Sequence, residues 1–247
     1  MVDIQSYPKQ KVFLPGNVEE TVSFMTTFFI EKAQKHLQEK GFFSVALSGG
    51  STPKKLYESL TKSPYKEQVD WSQVLLFWGD ERQKPLTDQE SNYYGAMIEG
   101  HLEHLPLRKE HIFPMHVEGA PEAIIHEAKR YEELIKNQLP TYLFDLVLLG
   151  VGEDGHTASL FPETNNDFPK EQLVAAHFVP KKKMWRMTLT FSCINQSRET
   201  LILALGKNKA PIVQKALKQG SDLPISQIGS PQKPALWIVD KGAAMLL

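Results

Sequence analysis

The run GVGEDGHTASLFP, residues 150–162, puts one histidine, His156, two positions after a carboxylate, Asp154, inside a glycine-rich turn. Histidine is the side chain best suited to moving protons near neutral pH, and a neighbouring carboxylate can orient the imidazole and raise its basicity. The bland alternative is an aspartate that caps the turn and a histidine that fills a polar niche; the pair alone does not choose. The same loop partly spells two nucleotide motifs. Gly150, Gly152 and Gly155 match G-x-G-x-x-G, but a dinucleotide site needs a long helix directly after the turn to receive the pyrophosphate. Pro162 arrives seven residues after Gly155, FPETNNDFP is loop chemistry, and Glu153 and Asp154 stand where the pyrophosphate would lie. The run also approaches the P-loop G-x-x-x-x-G-K-T, with His156 in place of the lysine whose fixed charge holds the phosphates. Neither nucleotide reading stands.

Three other segments carry groups suited to an anion. In SGGSTP, Ser48 to Pro53, Gly49 and Gly50 let the backbone approach a ligand, Ser48, Ser51 and Thr52 bring hydroxyls, and a helix N-terminus follows. A tight strand-to-helix turn with a Ser/Thr cap reads equally well from the same residues. In GDER, Arg82 follows a buried strand end, where a guanidinium can fork onto a phosphate or make a surface ion pair with Asp80 or Glu81. Lys209 opens a helix after a strand, a position cations disfavour unless an anion faces it. Anion-binding groups at three strand ends and an acid–base histidine at a fourth point to a small phosphorylated substrate.

The elements that must position these loops are legible in the pattern. Helical periodicity covers 17–40, with Val22, Met25, Phe29, Ala33 and Leu37 on one face and Gly41 as the stop. A second helix is expected from Pro53 through PKKLYESL, a third in SNYYGAMIEGHL capped by Ser91 or Asn92, a fourth over 121–139, and a last over 207–220. The strands are FFSVAL, QVLLFWGDE, FDLVLLG, LVAAHFV, MWRMTLTF, TLILALG and ALWIVD. Several are continuously apolar, as strands covered on both faces must be. This predicts one α/β domain over residues 1–247: a doubly wound, mostly parallel, Rossmann-like sheet flanked by helices on both faces. In such sheets ligands bind at the carboxyl ends of the strands, where the unusual loops lie.

Composition narrows the partners. The chain has 247 residues, 41% hydrophobic and 23% charged, with a formal net charge of −1. No global field recruits nucleic acid or an anionic membrane, so an anionic ligand depends on local cations. The single cysteine, Cys193, permits no internal disulfide, and with no apolar leader in MVDIQSYPKQKVFLPG the expectation is a cytoplasmic protein. KKK at 181–183 reads as a solvated loop, with an electrostatic funnel as the other view. His101 and His104 are three apart without a third ligand and read as surface residues, and no G-x-S-x-G elbow supports a serine esterase.

The blocks ALSGGSTPKKLYESL, WGDERQKPLTDQESNYYGAM, FDLVLLGVGEDGHTASLFP, RMTLTFSCIN and GKNKAPIV, in this order from about residue 45 to 215, resemble the 6-phosphogluconolactonases. The resemblance implies a metal-independent hydrolase without cofactor, on a sheet shared with sugar-phosphate isomerases. It would open 6-phospho-D-glucono-1,5-lactone to 6-phosphogluconate in the oxidative pentose phosphate pathway, between two NADP-dependent dehydrogenases. On this reading His156 is the general base, held by Asp154. The phosphorylated lactone is bound by Ser48, Gly49, Gly50, Ser51, Thr52, Arg82 and Lys209, while Arg186 and turn amides face the oxyanion. No nucleic-acid, membrane or obligate protein partner is expected. The glucosamine-6-phosphate deaminases share SGGSTP and DGH but complete an Asp-His-Glu relay through GHxAFNEP; here GHTASLFP puts Phe161 at the glutamate position. A non-catalytic sugar-phosphate sensor on the same fold is the third reading, and the intact DGH argues against it.

Overall fold

The computed structural model describes residues 2–247 apart from Tyr142 and Gln219. It builds an eight-stranded sheet in the order β1-β2-β11-β10-β7-β3-β4-β6 and a three-stranded sheet in the order β5-β9-β8. In chain order the elements are β1 (Asp3–Ser6), β2 (Gln10–Leu14), α1 (Val18–Lys40), β3 (Phe43–Leu47), α2 (Ser51–Leu60), β4 (Val74–Trp78), β5 (Asp80–Arg82), α3 (Asn92–Tyr94), β6 (Ile112–Phe113), α4 (Pro121–Gln138), β7 (Leu146–Gly150), β8 (Val174–Val179), β9 (Met184–Leu189), α5 (Phe191–Gln196), β10 (Glu199–Ala204), α6 (Ala210–Leu217) and β11 (Ala235–Val239). Within the large sheet every pairing is parallel except β1 with β2.

The central strands are apolar throughout because helices cover both faces: every residue of β3 and β4 is buried. α1 starts where a capping box forms, Asn17 accepting from the Glu20 amide while the Glu20 side chain accepts from the Asn17 amide, and it stops at Gly41. α4 starts with Pro121 at its first position and buries Ile124, Ala128, Tyr131 and Ile135, one stripe at helical spacing. Two buried tyrosines fix strand ends from the helices. The Tyr57 hydroxyl in α2 accepts from Ser48 N at 3.0 Å and donates to Ser48 O at 2.8 Å. The Tyr131 hydroxyl in α4 accepts from Trp78 N at 2.9 Å and donates to Phe113 O at 2.9 Å.

Several boundaries differ from the sequence reading. β1 and β2 at the N-terminus carry no apolar run, and β1 is a largely exposed edge hairpin strand. QVLLFWGDE breaks at Gly79 into β4 and β5, so the residues of GDER belong to the second sheet. LVAAHFV and MWRMTLTF pair with each other as an antiparallel hairpin in that same sheet. α2 begins at Ser51, two residues before Pro53. In SNYYGAMIEGHL the α-helix is one short turn that widens into a π-turn over Gly95–Glu99. The helix expected over 207–220 is a 3-10 turn, Lys207–Lys209, followed by α6; Gln219 lies outside the described residues. Among the described residues no helix is long and apolar enough to cross a membrane.

The connections set the location of the crevice. From β3 the chain passes through α2 to β4 on one side; from β7 it travels to β10 and then β11 on the other. β3 and β7 are neighbours, paired Val45 with Leu146 and Ala46 with Val147, so the chain leaves them in opposite directions and a crevice opens at their carboxyl ends. A buried carboxylate at the opposite end sets this register. Asp145 Oδ2 accepts from Ser44 N at 2.8 Å and Ser44 Oγ at 2.9 Å, while Asp145 Oδ1 pairs with Lys40 Nζ at 2.8 Å and Arg198 Nε at 3.3 Å. Asp145→Ala removes charge-assisted bonds from a fully buried site and should cost about 3 kcal/mol. A lower midpoint with unchanged slope in urea denaturation is the expected signature; an unchanged midpoint would remove Asp145 from this role.

Candidate active site

The crevice is an open cleft of about 240 Å³ lined by the turn after β3, the start of the β7 loop, His156, Ala158, Asp80, Arg82, Asn92 and Lys209. Four segments distant in sequence therefore meet in one place. Of the residues singled out in the sequence, Ser48, Gly49, Gly50, Ser51, Thr52, Arg82, His156 and Lys209 all line it. Asp154 sits behind His156. Arg186 is not among the lining residues; it is buried on β9, in register opposite Arg82 on β5.

The turn after β3 leads directly into α2. Its first intrahelical bond runs from Lys54 N to Gly50 O, so the amides of Ser51 and Thr52 precede the hydrogen-bonded turns and are oriented for an acceptor at the helix start. Gly49 is required by close packing. A Cβ there would overlap Asn92 Oδ1 and press on Arg82 Nη1.

Arg82 is aimed by a buried polar chain. Asn92 Nδ2 donates to Asp80 O at 2.8 Å and to Asp80 Oδ1 at 3.0 Å, which turns the amide oxygen toward Arg82 Nη1, its hydrogen-bond donor. Asp80 Oδ2 accepts from Ser159 Oγ at 2.7 Å, tying the same unit to the loop beyond His156. Glu81 accepts from the amides of Arg82, Asn92 and Tyr93 at 2.8–2.9 Å and so anchors the start of α3 beside it. Burial pushes the Glu81 carboxyl up to about 7, against the pull of those three N–H groups and the Arg82 charge. Neither Arg82 nor Arg186 has a carboxylate within ion-pair distance among the described residues. Burial, and then the repulsion of Arg82, lowers the pKa of Arg186. Lys209 Nζ reaches Val151 O at 3.0 Å, its ammonium likewise without a carboxylate.

His156 is positioned from three sides. Its Nδ1 lies 2.5 Å from Asp154 Oδ1, and its backbone N–H donates to the same oxygen at 3.2 Å. Its ring stacks on Phe161 with centroids 4.2 Å apart. Gly152 lies on its remaining side, N–H donating to His156 O at 2.9 Å. Burial alone would raise the Asp154 carboxyl, but the hydrogen bond and charge of His156 and the ammonium of Lys181 at 3.1 Å outweigh it and hold it well below the usual carboxylate range. An ionised carboxylate only accepts, so Nδ1 carries a proton and Nε2 is the nitrogen that Asp154 does not engage. The loop then turns through Ala158 at φ 46°, a left-handed conformation that costs a non-glycine residue energy; Thr157 Oγ1 donating to Gly150 O at 2.9 Å helps hold it. The arrangement can take a proton from a nucleophile while cations and helix-start amides hold an anion a short distance away. Among the described residues no group of three His, Cys, Asp or Glu side chains converges as metal ligands.

Asp80, Asn92, Ser159 and Lys181 are the parts of this site that motif reading did not assign, whereas Phe161 is marked by its place in the GHTASLFP run. Asn92 reads as a helix cap and the lysines as a solvated loop. Their roles depend on contacts across the two sheets.

The family model for glucosamine-6-phosphate isomerases/6-phosphogluconolactonase matches residues 16–237. A 6-phosphogluconolactonase of Chlamydia pneumoniae is 39% identical over 215 residues, covering 85% of this chain and 80% of that relative. A solved 6-phosphogluconolactonase from Trypanosoma cruzi superposes with a TM-score of 0.83 at 29% identity, covering 98% of each chain. A monomeric glucosamine-6-phosphate deaminase shares the fold, with a TM-score of 0.79 at 20% identity over 96% of this chain and 99% of that one.

A Cβ at Gly152 would collide with Nδ1 and Cε1 of His156. Gly152→Ala should therefore swing the ring away from Asp154 and lower any turnover that uses the imidazole by about 10²-fold. Its thermal midpoint should stay within a few degrees of the parent. Undiminished turnover would show that the ring does not need this seat.

Proposed function

The chain belongs to the glucosamine-6-phosphate isomerase/6-phosphogluconolactonase family, and from that premise we infer that the cleft hydrolyses 6-phospho-D-glucono-1,5-lactone to 6-phosphogluconate with His156 as general base. The enzyme is a lactone hydrolase of the oxidative pentose phosphate pathway. The observation that carries the assignment of roles is the Asp154–His156 contact of 2.5 Å in the same cleft as Arg82 and Lys209, cations that lack carboxylate partners.

The lactone carbonyl is already electrophilic, so the protein has a modest barrier to lower. His156 Nε2 takes a proton from water as the water oxygen bonds to C1 and the carbonyl electrons move onto oxygen. The tetrahedral oxyanion then re-forms the carbonyl, the bond from C1 to the ring oxygen breaks, and the imidazolium returns its proton to that oxygen. Asp154 keeps Nδ1 protonated and stabilises the cation formed between the two steps. Turn amides are the nearest candidates to receive the oxyanion. Arg186, opposite Arg82, adds to the positive potential there. Gly49, Gly50, Ser51, Thr52, Arg82 and Lys209, with Ser48 beside them, hold the phosphate and so fix the distance from phosphate to C1.

Phe161 favours hydrolysis over deamination. Its ring lies flat on His156 where the deaminase pattern has a glutamate, so the imidazole has no second carboxylate to relay a proton through. We propose that the reaction runs on side chains and backbone amides, without metal or cofactor. The buried, unpaired Cys193 is compatible with a reducing cytoplasm.

Hydrolysis of enzymatically generated 6-phosphogluconolactone, followed against its spontaneous rate, tests the activity. His156→Ala should lower kcat by about 10²–10⁴-fold with a smaller effect on binding, and near-normal kcat in a folded variant would remove it from the reaction. Arg82→Ala should lower kcat/KM for the phosphorylated lactone by about 10–100-fold, since charge-assisted bonds to a phosphate are worth about 1.5–3 kcal/mol each. Unphosphorylated gluconolactone, which never makes that contact, serves as the internal control. Equal losses on both substrates would assign Arg82 to the structure or to the lactone end.

A further inference from the structure

Lys181 stands outside the cleft, on the turn of the β8–β9 hairpin, yet it touches the catalytic pair. Its Nζ lies 3.1 Å from Asp154 Oδ2, the carboxylate oxygen that His156 does not use. The hairpin fixes it there. Pro180 opens the turn, Lys183 closes it in a left-handed conformation with its N–H donating to Pro180 O at 3.0 Å, and β8 and β9 are paired from Val174–Leu189 up to Val179–Met184. Lys181, Asp154, Phe161 and Pro180 line one narrow gap between the hairpin and the loop that carries His156. Its two neighbours Lys182 and Lys183 have no carboxylate partner among the described residues, whereas Lys181 also reaches Glu163 Oε1 at 3.9 Å.

We propose that Lys181 is a positioning residue for the His156–Asp154 pair: by sharing the carboxylate it holds Oδ1 toward the ring and offsets part of the basicity that Asp154 lends to the imidazole. This rests on the assignment of His156 as the base. The physical reason is that a general base works best when its proton affinity matches the working pH. The imidazole and the ammonium sit on the two oxygens of one carboxylate, so each competes for the same negative charge. The Lys181 ammonium is itself stabilised by Asp154 through the hydrogen bond and the charge. The other charges near the ring come from different elements. Lys209 and Arg82 bring positive charge and Asp80 negative charge to the cleft, and Glu153, next to Asp154, is engaged by Asn208 Nδ2 at 3.3 Å. Lys181 is the cation that bonds Asp154 directly, so its removal acts on the pair while the cleft lining stays unchanged.

The sign is fixed by the charge. Without Lys181 the imidazolium is favoured, so the His156 ring titrates at higher pH and the acid limb of kcat/KM moves up with it. Because Lys181 is half exposed, solvent and salt screen the effect, and about 0.5 pH unit is the expected shift for Lys181→Gln. Lys181→Glu should move it further in the same direction, and Lys181→Arg should restore the parent value. The decisive measurement is an NMR titration of the histidine ring protons, with the His156 signal identified by its loss in His156→Ala. It reads the imidazole whether or not lactone is turned over. A limb that moves with the NMR midpoint supports the proposal. An unmoved midpoint in both Lys181→Gln and Lys181→Glu overturns it, even if their activity falls, because lost activity alone would mean a disturbed hairpin. A shifted midpoint in a protein that does not hydrolyse the lactone would uphold the coupling and overturn the assigned reaction.

Discussion

The pairing of β3 with β7 is the constraint on which the site depends. Two adjacent parallel strands whose chains depart in opposite directions leave a gap at their carboxyl ends that no side chain of the sheet fills. Their relative height decides whether the Ser48 turn and the Gly150 turn face one another. That height is set at the far end, where Asp145 at the foot of β7 grips both the amide and the hydroxyl of Ser44 in β3. At the near end the two turns are neighbours: a Cβ added at Gly150 would come into van der Waals contact, 3.9 Å, with Ser48 Oγ and Gly49 O. A carboxylate at the opposite end of the sheet thus aligns the turns that make the cleft, and Tyr57 then fixes Ser48 from the helix side.

Electrostatics divides the cleft into two halves with different logic. On one half the charges are left incomplete. Arg82 and Arg186 face one another across β5 and β9, Lys209 finds only a carbonyl, and the start of α2 presents free amides. Such a collection is expensive unless an anion completes it. The other half is complete without a ligand: His156 and Lys181 each engage one oxygen of Asp154, across contacts of 2.5 and 3.1 Å. On the proposed reading the first half receives the substrate's phosphate and the second handles the proton. Asp80 joins them, holding Asn92 with one oxygen and Ser159 with the other, so that Arg82 and the loop beyond His156 are tied to one carboxylate.

Much of this was legible in the sequence, and the parts that were not share a cause. The buried parallel strands declare themselves as unbroken apolar runs, and the glycine, hydroxyl and cation signals mark their carboxyl ends. Motif spacing alone therefore located His156, the Ser48–Thr52 turn, Arg82 and Lys209 on one wall. What escaped depends on how the second sheet folds over the first. GDE continues an apolar strand in the sequence, yet the chain turns at Gly79 and sends Asp80, Glu81 and Arg82 into an antiparallel sheet. That turn brings Asn92 under Arg82 and sets Arg186 opposite Arg82. Nothing local to QESNYYG distinguishes a helix cap from a residue that aims an arginine, and KKK has the composition of any solvated loop. The N-terminal hairpin escaped for a different reason: β1 is mostly exposed and has no apolar face to announce it.

The contact of His156 with Phe161 bears on how one fold serves two chemistries. An isomerase or deaminase must shuttle protons between several substrate atoms, and a relay of carboxylates around the imidazole suits that task. A lactonase needs one proton removed from water and returned to one oxygen. An aromatic ring 4.2 Å from the imidazole covers one face of it without offering a proton acceptor. With Asp154 on Nδ1 and Gly152 against the ring, the path left for a proton is Nε2 and the cleft. On the proposed mechanism, a phenyl ring in place of a carboxylate leaves the histidine as a single acid–base site, which is all that opening an ester requires.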